Sequence, residues 1–274
     1  MPPSQEHEYI LGTQADELRR LEQQHRTWRP QALALFEAAR FGPGQSLLDL
    51  GCGPGFTSME LARLVGVDGS VIARDVSARF LESLEEMARA AGFTQVRPSV
   101  GSVETLELEP ASLDGAYARW LFCWLEDPVG AFARLAPSLR PGAAVALQDY
   151  FDWGAMRLVP ESAVFDRAVE ACMQSWADGG GRINVARSFP EFAERAGLAL
   201  ERFQPVARIG GTRSPEWKWL GDFFATYLPK LVERGTYAAA DLEAFLAEWR
   251  DRTASGASFA YTPVVANAVF RKTT

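Results

Sequence analysis

The stretch Ser46 to Gly55, SLLDLGCGPG, constrains this chain more than any other. Leu47, Leu48 and Leu50 form a short apolar run of the kind that makes a buried parallel strand. The run ends in alternating glycines, Gly51, Gly53 and Gly55. A helical pattern follows, with Met59, Leu61, Ala62, Leu64 and Val65 on its apolar side. Strand, glycine turn and helix open a doubly wound α/β domain, which binds ligands at the carboxyl ends of its strands. Glycine serves such a turn twice, by adopting positive φ and by lacking the Cβ that would hold a ligand away.

The glycine spacing narrows the ligand. The dinucleotide fingerprint G-x-G-x-x-G seats a pyrophosphate on the helix N-terminus. Here the third position of that pattern is Phe56, and the glycines run G-x-G-x-G. Asp49, just before the turn, would repel a pyrophosphate and attract a cation. Asp75, in VIARDVS, ends a second apolar strand about 20 residues on, where a ribose-binding acid is expected. It can also cap the helix that Ser77 begins. A ligand with a ribose, no pyrophosphate and a positive centre meets these conditions, and S-adenosyl-L-methionine is one.

DLGCGPG (Asp49 to Gly55), Asp75 in ARDVS, GSVETL (Gly101 to Leu106) and YARWLFCWLEDP (Tyr117 to Pro128) occur in that order. In this the chain resembles the class I, seven-stranded, Rossmann-like S-adenosylmethionine-dependent methyltransferases, and the small-molecule branch most. The resemblance covers roughly Ser46 to Tyr150. It implies cofactor contacts from Asp49, Gly51, Gly53, Gly55, Asp75, Val76, Ser102 and Val103. Where many relatives carry an aspartate before the adenine contact, this chain has Ser102, whose hydroxyl is a weaker acceptor. The resemblance also implies an N-terminal lid over the cofactor, with Tyr9, Gln24 and Trp28 as neighbours; Trp28 reads equally as core and Tyr9 as surface. Arg119, at the end of an apolar strand, is either a contact to the methionine end of the cofactor or a surface ion-pair partner. Cys52 reads as a small residue that fits the turn.

Composition excludes several alternatives. The 274 residues carry a net charge of −7, with no cluster of basic residues, which argues against a nucleic-acid or anionic-membrane binder. The three cysteines are far apart and the two histidines lie near the N-terminus, so neither a disulfide framework nor a histidine metal site is expected. No N-terminal apolar segment and no long apolar run occurs, which predicts a cytoplasmic protein without a membrane span.

Taken in order, the chain divides into an N-terminal helical lid (1–44), a cofactor-binding core (45–150) and a remainder (151–274) that completes the sheet and adds helical insertions for substrate. Ala15 to Trp28 reads as one helix and Pro30 as the start of a second, ended by Gly42-Pro43-Gly44. Strands at 47–50, 70–75, 95–100, 113–121 and 143–148 alternate with helices, which predicts right-handed crossovers and a mostly parallel sheet. Beyond Tyr150 the pattern predicts helices over 160–176, 190–196, 214–233 and 239–252, and strands over 198–209 and 259–270. The resemblance makes the last strand antiparallel.

The remainder is rich in aromatics: Trp153, Trp176, Trp217, Trp219, Phe223, Phe224 and Tyr227, with Trp120 and Trp124 earlier. Most read as core; some would wall a pocket for an apolar or aromatic small molecule, and a cage for a cationic amine is an alternative. Methyl transfer from a sulfonium needs alignment and exclusion of water more than side-chain chemistry. Asp149, Tyr150, Asp152 and His25 are candidate bases, and none is singled out as catalytic. The acceptor atom, O, N or C, stays open. Two rival functions stand beside methyl transfer: a nicotinamide-dependent oxidoreductase, which the glycine spacing disfavours, and a non-catalytic binder of the cofactor.

Overall fold

The computed structural model describes residues 15–273. Its centre is a seven-stranded sheet: β1 (Ser46–Leu50), β2 (Ser70–Asp75), β3 (Val96–Val100), β4 (Leu113–Arg119), β5 (Leu139–Asp152), β7 (Ala199–Val206) and β10 (Val264–Arg271). The spatial order is β3-β2-β1-β4-β5-β10-β7. The first five are parallel, and β10 runs antiparallel between β5 and β7. The seven-stranded, mostly parallel sheet with an antiparallel last strand is thus present. The order reverses between β1 and β4, the switch point where such sheets bind ligands.

The crossovers follow local rules. Helices α2 (Phe56–Val65) and α3 (Ala78–Ala91) join β1 to β2 and β2 to β3. Ser77 caps α3 by accepting from the Phe80 amide at 3.3 Å, and Gly92 ends it in a left-handed conformation. α4 (Pro128–Ala133) starts on an Asp127 cap with Pro128 at its first position. Gly115 on β4 is glycine because a Cβ there would run into the Phe41 ring and the Ala144 carbonyl.

The N-terminal segment, expected as a lid of two helices, is one helix, α1 (Ala15–Ala39), with Pro30 inside it. Proline in a helix interior removes a hydrogen bond and costs about 3 kcal/mol or more. Burial on both sides of it offsets that cost. Trp28 precedes Pro30, while Ala32, Leu35, Phe36 and Ala39 follow it, and all five are buried. The second half lies on the sheet against Leu47, Tyr117, Ala144, Ala146 and Val269. The first half packs on α7 (Pro215–Glu233) and buries the Arg20–Glu17 ion pair.

The remainder also departs from the pattern. The region expected as one strand over 198–209 splits into β7 and β8 (Ile209–Gly211), and the last strand into β9 (Phe259–Tyr261) and β10. With β6 (Arg157–Val159), β8 and β9 form a second antiparallel sheet in the order β6-β9-β8. α5 (Ala163–Asp178) and α7 pack on this sheet, α8 (Ala239–Ser255) packs on α5 and α7, and α6 (Phe189–Ala196) lies against α4 and against β7 of the main sheet. No helix among the described residues is long and apolar enough to cross a membrane.

Candidate cofactor crevice and the aromatic cluster beside it

The ends of β1, β2 and β4 bring the expected site residues together. The Asp75 carboxylate accepts from the Gly53 amide at 2.8 Å through one oxygen and from the Ser77 amide at 2.9 Å through the other. It therefore ties the glycine turn to the start of α3. Burial pushes its pKa upward against these hydrogen bonds. A Cβ built on Gly53 meets nothing within 4 Å, so the turn opens onto free space there. Gly51 and Gly55 answer to packing instead, since a Cβ on them would strike Leu121 and Leu84. Gly55, in left-handed conformation, begins α2 with no side-chain cap on its first amides.

Asp49 is 2% exposed, and one of its oxygens accepts from the Ser58 hydroxyl at 2.6 Å. Burial raises its pKa to about 7, with the Ser58 hydrogen bond and the charge of Arg119 working against the rise. Arg119 is not a surface ion-pair partner. Its Nη2 lies 3.3 Å from His25 Nδ1 and 3.3 Å from the Thr57 hydroxyl, and its guanidinium covers the Trp120 ring at 5.2 Å. Its Nη1 is buried with no hydrogen-bond partner. Burial, helped by the charge of Arg119, lowers the His25 pKa to about 4, so the imidazole is neutral at neutral pH.

At the end of β3, the Ser102 hydroxyl accepts from the Glu104 amide at 3.1 Å and its carbonyl accepts from Arg74 at 3.2 Å. Val103 is buried, while Val76, directly after Asp75, is 53% exposed. Gln24 on α1 is turned toward α7: its side-chain oxygen accepts from Arg20 and from the Trp219 indole, each at 3.0 Å. Tyr9 lies outside the described residues. Among the candidate bases, Asp149 is buried and accepts from the Cys123 and Tyr150 amides, and burial raises its pKa to about 7. Asp152 pairs with Arg187 at 3.4 Å, and Tyr150 stacks on Trp120 with ring centroids 5.7 Å apart.

Thr57 and Ser58 were not legible as site residues. Two hydroxyls in the first turn of the helix after the glycines were the available signal. Trp219 was expected as core or pocket wall, without a link to the lid; its T-shaped contact with Trp28, at 5.2 Å, joins α7 to α1 beside Arg119. Among the described residues no group of His, Cys, Asp or Glu could hold a metal ion.

The residues fit an adenosyl cofactor that carries an amino-acid tail. Asp75 has lone pairs left for ribose hydroxyls, Gly53 leaves room beside it, and the unpaired Arg119 nitrogen suits a carboxylate. Comparison with known proteins agrees. Residues 47–142 match the family described as "Methyltransferase domain". The chain is 29% identical over 227 residues to a 37.1 kDa protein of transposon Tn4556 from Streptomyces fradiae, covering 82% of this chain and 62% of that one. It is 32% identical over 131 residues to a 2-phytyl-1,4-naphthoquinone methyltransferase of Trichormus variabilis, covering 46% and 55%. Its fold matches a geranyl diphosphate methyltransferase crystallised with sinefungin, with a TM-score of 0.56 at 19% identity, over 90% of this chain and 80% of that one. The chain thus spans only 62% and 55% of the two relatives by sequence. The region from β1 to the start of β5 is thus similar in sequence to methyltransferase domains, and the chain shares its fold with a methyltransferase of known structure.

Proposed function

We propose that this protein transfers the methyl group of S-adenosyl-L-methionine to a small apolar or aromatic acceptor. The observation that carries this reading is the charge pattern at the strand ends. Two carboxylates, the buried Asp49 and the partly buried Asp75, flank a glycine turn, and a guanidinium nitrogen on Arg119 is buried without a partner. That pattern complements a ribose, a cationic centre and a carboxylate, and it opposes a diphosphate.

In this reading Asp75 orients the ribose. Val76 and Val103 flank the adenine and Ser102 meets its edge. Gly51, Gly53 and Gly55 set the main chain beside the amino-acid tail, while Asp49 faces its positive charge and Arg119 its carboxylate. When bound, the cofactor supplies a methyl group already activated as a sulfonium substituent. The protein's part is to hold the acceptor in line at roughly 3–3.5 Å and to keep water out. Trp28, Trp120 and Trp219 pack against one another next to Arg119, and in this reading the acceptor lies on their side of the crevice.

The test is incubation with S-adenosyl-L-methionine and a panel of aromatic acceptors, with release of S-adenosylhomocysteine measured. Acceptor-dependent release is expected. Calorimetric binding of NAD(P), with none of S-adenosylhomocysteine, would end the reading. Cofactor binding without turnover of any acceptor would leave a binding protein in its place.

A further inference from the structure

Beside the cofactor crevice lies a connected series of aromatic rings. Trp28 meets Trp120 edge-on at 5.5 Å; Trp120 stacks on Trp219 and on Tyr150 at 5.7 Å. Tyr150 meets Trp153 at 4.8 Å, and Trp153 meets Trp176 at 5.7 Å. These rings come from α1, the end of β4, β5, the turn after β5, α5 and α7.

The indole nitrogens of Trp28, Trp120, Trp153 and Trp176 are buried without a hydrogen-bond partner. Their residues are 0%, 8%, 1% and 3% exposed. The fold does satisfy other buried indoles: Trp217 donates to the Thr253 hydroxyl at 2.9 Å and Trp219 to Gln24 at 3.0 Å. A buried donor left unpaired costs about 1–3 kcal/mol, so four in one connected series form a marked concentration of unmet demand. Trp120 adds a second oddity. It holds φ at +51°, a left-handed conformation that a bulky side chain rarely takes and that costs about 1–3 kcal/mol. This strained residue stands directly after Arg119, at the rim of the crevice.

We propose that these rings form the acceptor compartment, and that it selects planar aromatic molecules bearing carbonyl or hydroxyl oxygens, which take hydrogen bonds from the indole N–H groups. The proposal rests on the methyltransferase reading and narrows its acceptor. Flat rings match an aromatic ligand, and four unpaired donors call for acceptor atoms. A quaternary amine fits less well. It would seek ring faces, and cations already lie over two of them, Arg119 over Trp120 at 5.2 Å and Arg208 over Trp28 at 5.6 Å. A quaternary nitrogen also has no lone pair to accept from an N–H donor.

The test uses protein saturated with S-adenosylhomocysteine and three probes: lawsone (a hydroxynaphthoquinone), naphthalene and choline. Calorimetry is expected to show lawsone binding at least about tenfold tighter than naphthalene, the difference one or two net hydrogen bonds make. Trp153→Phe and Trp176→Phe keep an aromatic ring and remove the donor. Each should weaken lawsone by roughly three- to tenfold and leave S-adenosylhomocysteine within about twofold, while Trp217→Phe changes neither. Nitrogen-labelled tryptophan needs no variant: indole N–H resonances should shift with lawsone and stay in place with naphthalene. Equal affinity for lawsone and naphthalene, preference for choline, or indole resonances that ignore lawsone would each overturn the proposal. Any of these with S-adenosylhomocysteine binding intact leaves the methyltransferase reading standing. Loss of S-adenosylhomocysteine binding by the unaltered protein removes that reading, and this one with it.

Discussion

The cofactor crevice and the aromatic cluster lie side by side, yet they are built in opposite ways. The crevice is made of main chain and short polar side chains at the ends of adjacent parallel strands. Asp49 and Asp75 are fixed by hydrogen-bonded register, since β1 pairs with β2 from Ser46 opposite Ser70 to Leu50 opposite Arg74. The cluster is made of large side chains from segments as far apart as Trp28 and Trp219. Its shape depends on how α1 meets α7. A site of the first kind comes with the sheet and changes little; a site of the second kind can be reshaped by a few substitutions while the sheet stands.

The sharpest break between the two regions is expected at Gly53. Its φ of +54° and the open space beyond its Cα belong to the crevice alone. Gly53→Val would fill that space and strain the turn, so affinity for S-adenosylhomocysteine should fall by about a hundredfold or more. The indole resonances of the cluster should keep their positions. If those resonances collapse as well, the turn supports the whole domain and the two regions are not separable. Asp75→Ala is the next largest effect. Removing a charged acceptor should weaken cofactor binding by roughly 10- to 150-fold, with lawsone binding unchanged. An unaltered dissociation constant for S-adenosylhomocysteine would take Asp75 out of the crevice.

The same contrast explains what could be read in advance. The sheet, its crossovers and the crevice were legible because each rests on local pattern: an apolar run, a glycine turn, an acid at a strand end, Ser77 or Asp127 before a helix. The single long α1 was not, because local rules stop a helix at Pro30 and only burial of Trp28 and Phe36 carries it through. The β6-β9-β8 sheet was missed for a related reason. Strands as short as Arg157–Val159 carry too little alternation to register, and their pairing joins distant segments. Arg119 was placed at the ligand edge from its strand position alone; its neighbours His25 and Thr57 come from other elements. The cluster's aromatics were visible as residues, but their connection and their unpaired nitrogens are properties of tertiary packing.

A pH titration distinguishes the regions without any variant. Asp49 is pushed up to about 7 by burial, above its ordinary range of about 3.9 in an unfolded chain. A cationic ligand favours the ionised form, so affinity for S-adenosyl-L-methionine should rise with pH, by up to about tenfold per unit below 7, and level off above it. Naphthalene affinity should stay flat. The same shift makes Asp49 a liability to stability as pH climbs: its contribution is full below the unfolded pKa and is lost through about 7. Asp49→Asn should flatten both profiles and raise the melting temperature at pH 8. A slope that survives in Asp49→Asn would assign the titration to another group.

Gln24 stands where the two regions meet, and its substitution gives the smallest and most discriminating effect. The family resemblance implies that it neighbours the cofactor, while its side-chain oxygen accepts from Arg20 and the Trp219 indole. Arg20 keeps Glu17 at 2.7 Å when Gln24 is shortened, but Trp219 loses its acceptor. Gln24→Ala should therefore loosen the contact between α1 and α7. The expected reading is a rise in acceptor KM of about three- to fivefold, the size of one neutral hydrogen bond, with S-adenosylhomocysteine affinity within twofold. The opposite split, weaker cofactor binding at constant acceptor KM, would move Gln24 into the crevice. It would also show that α1 acts on the cofactor side first.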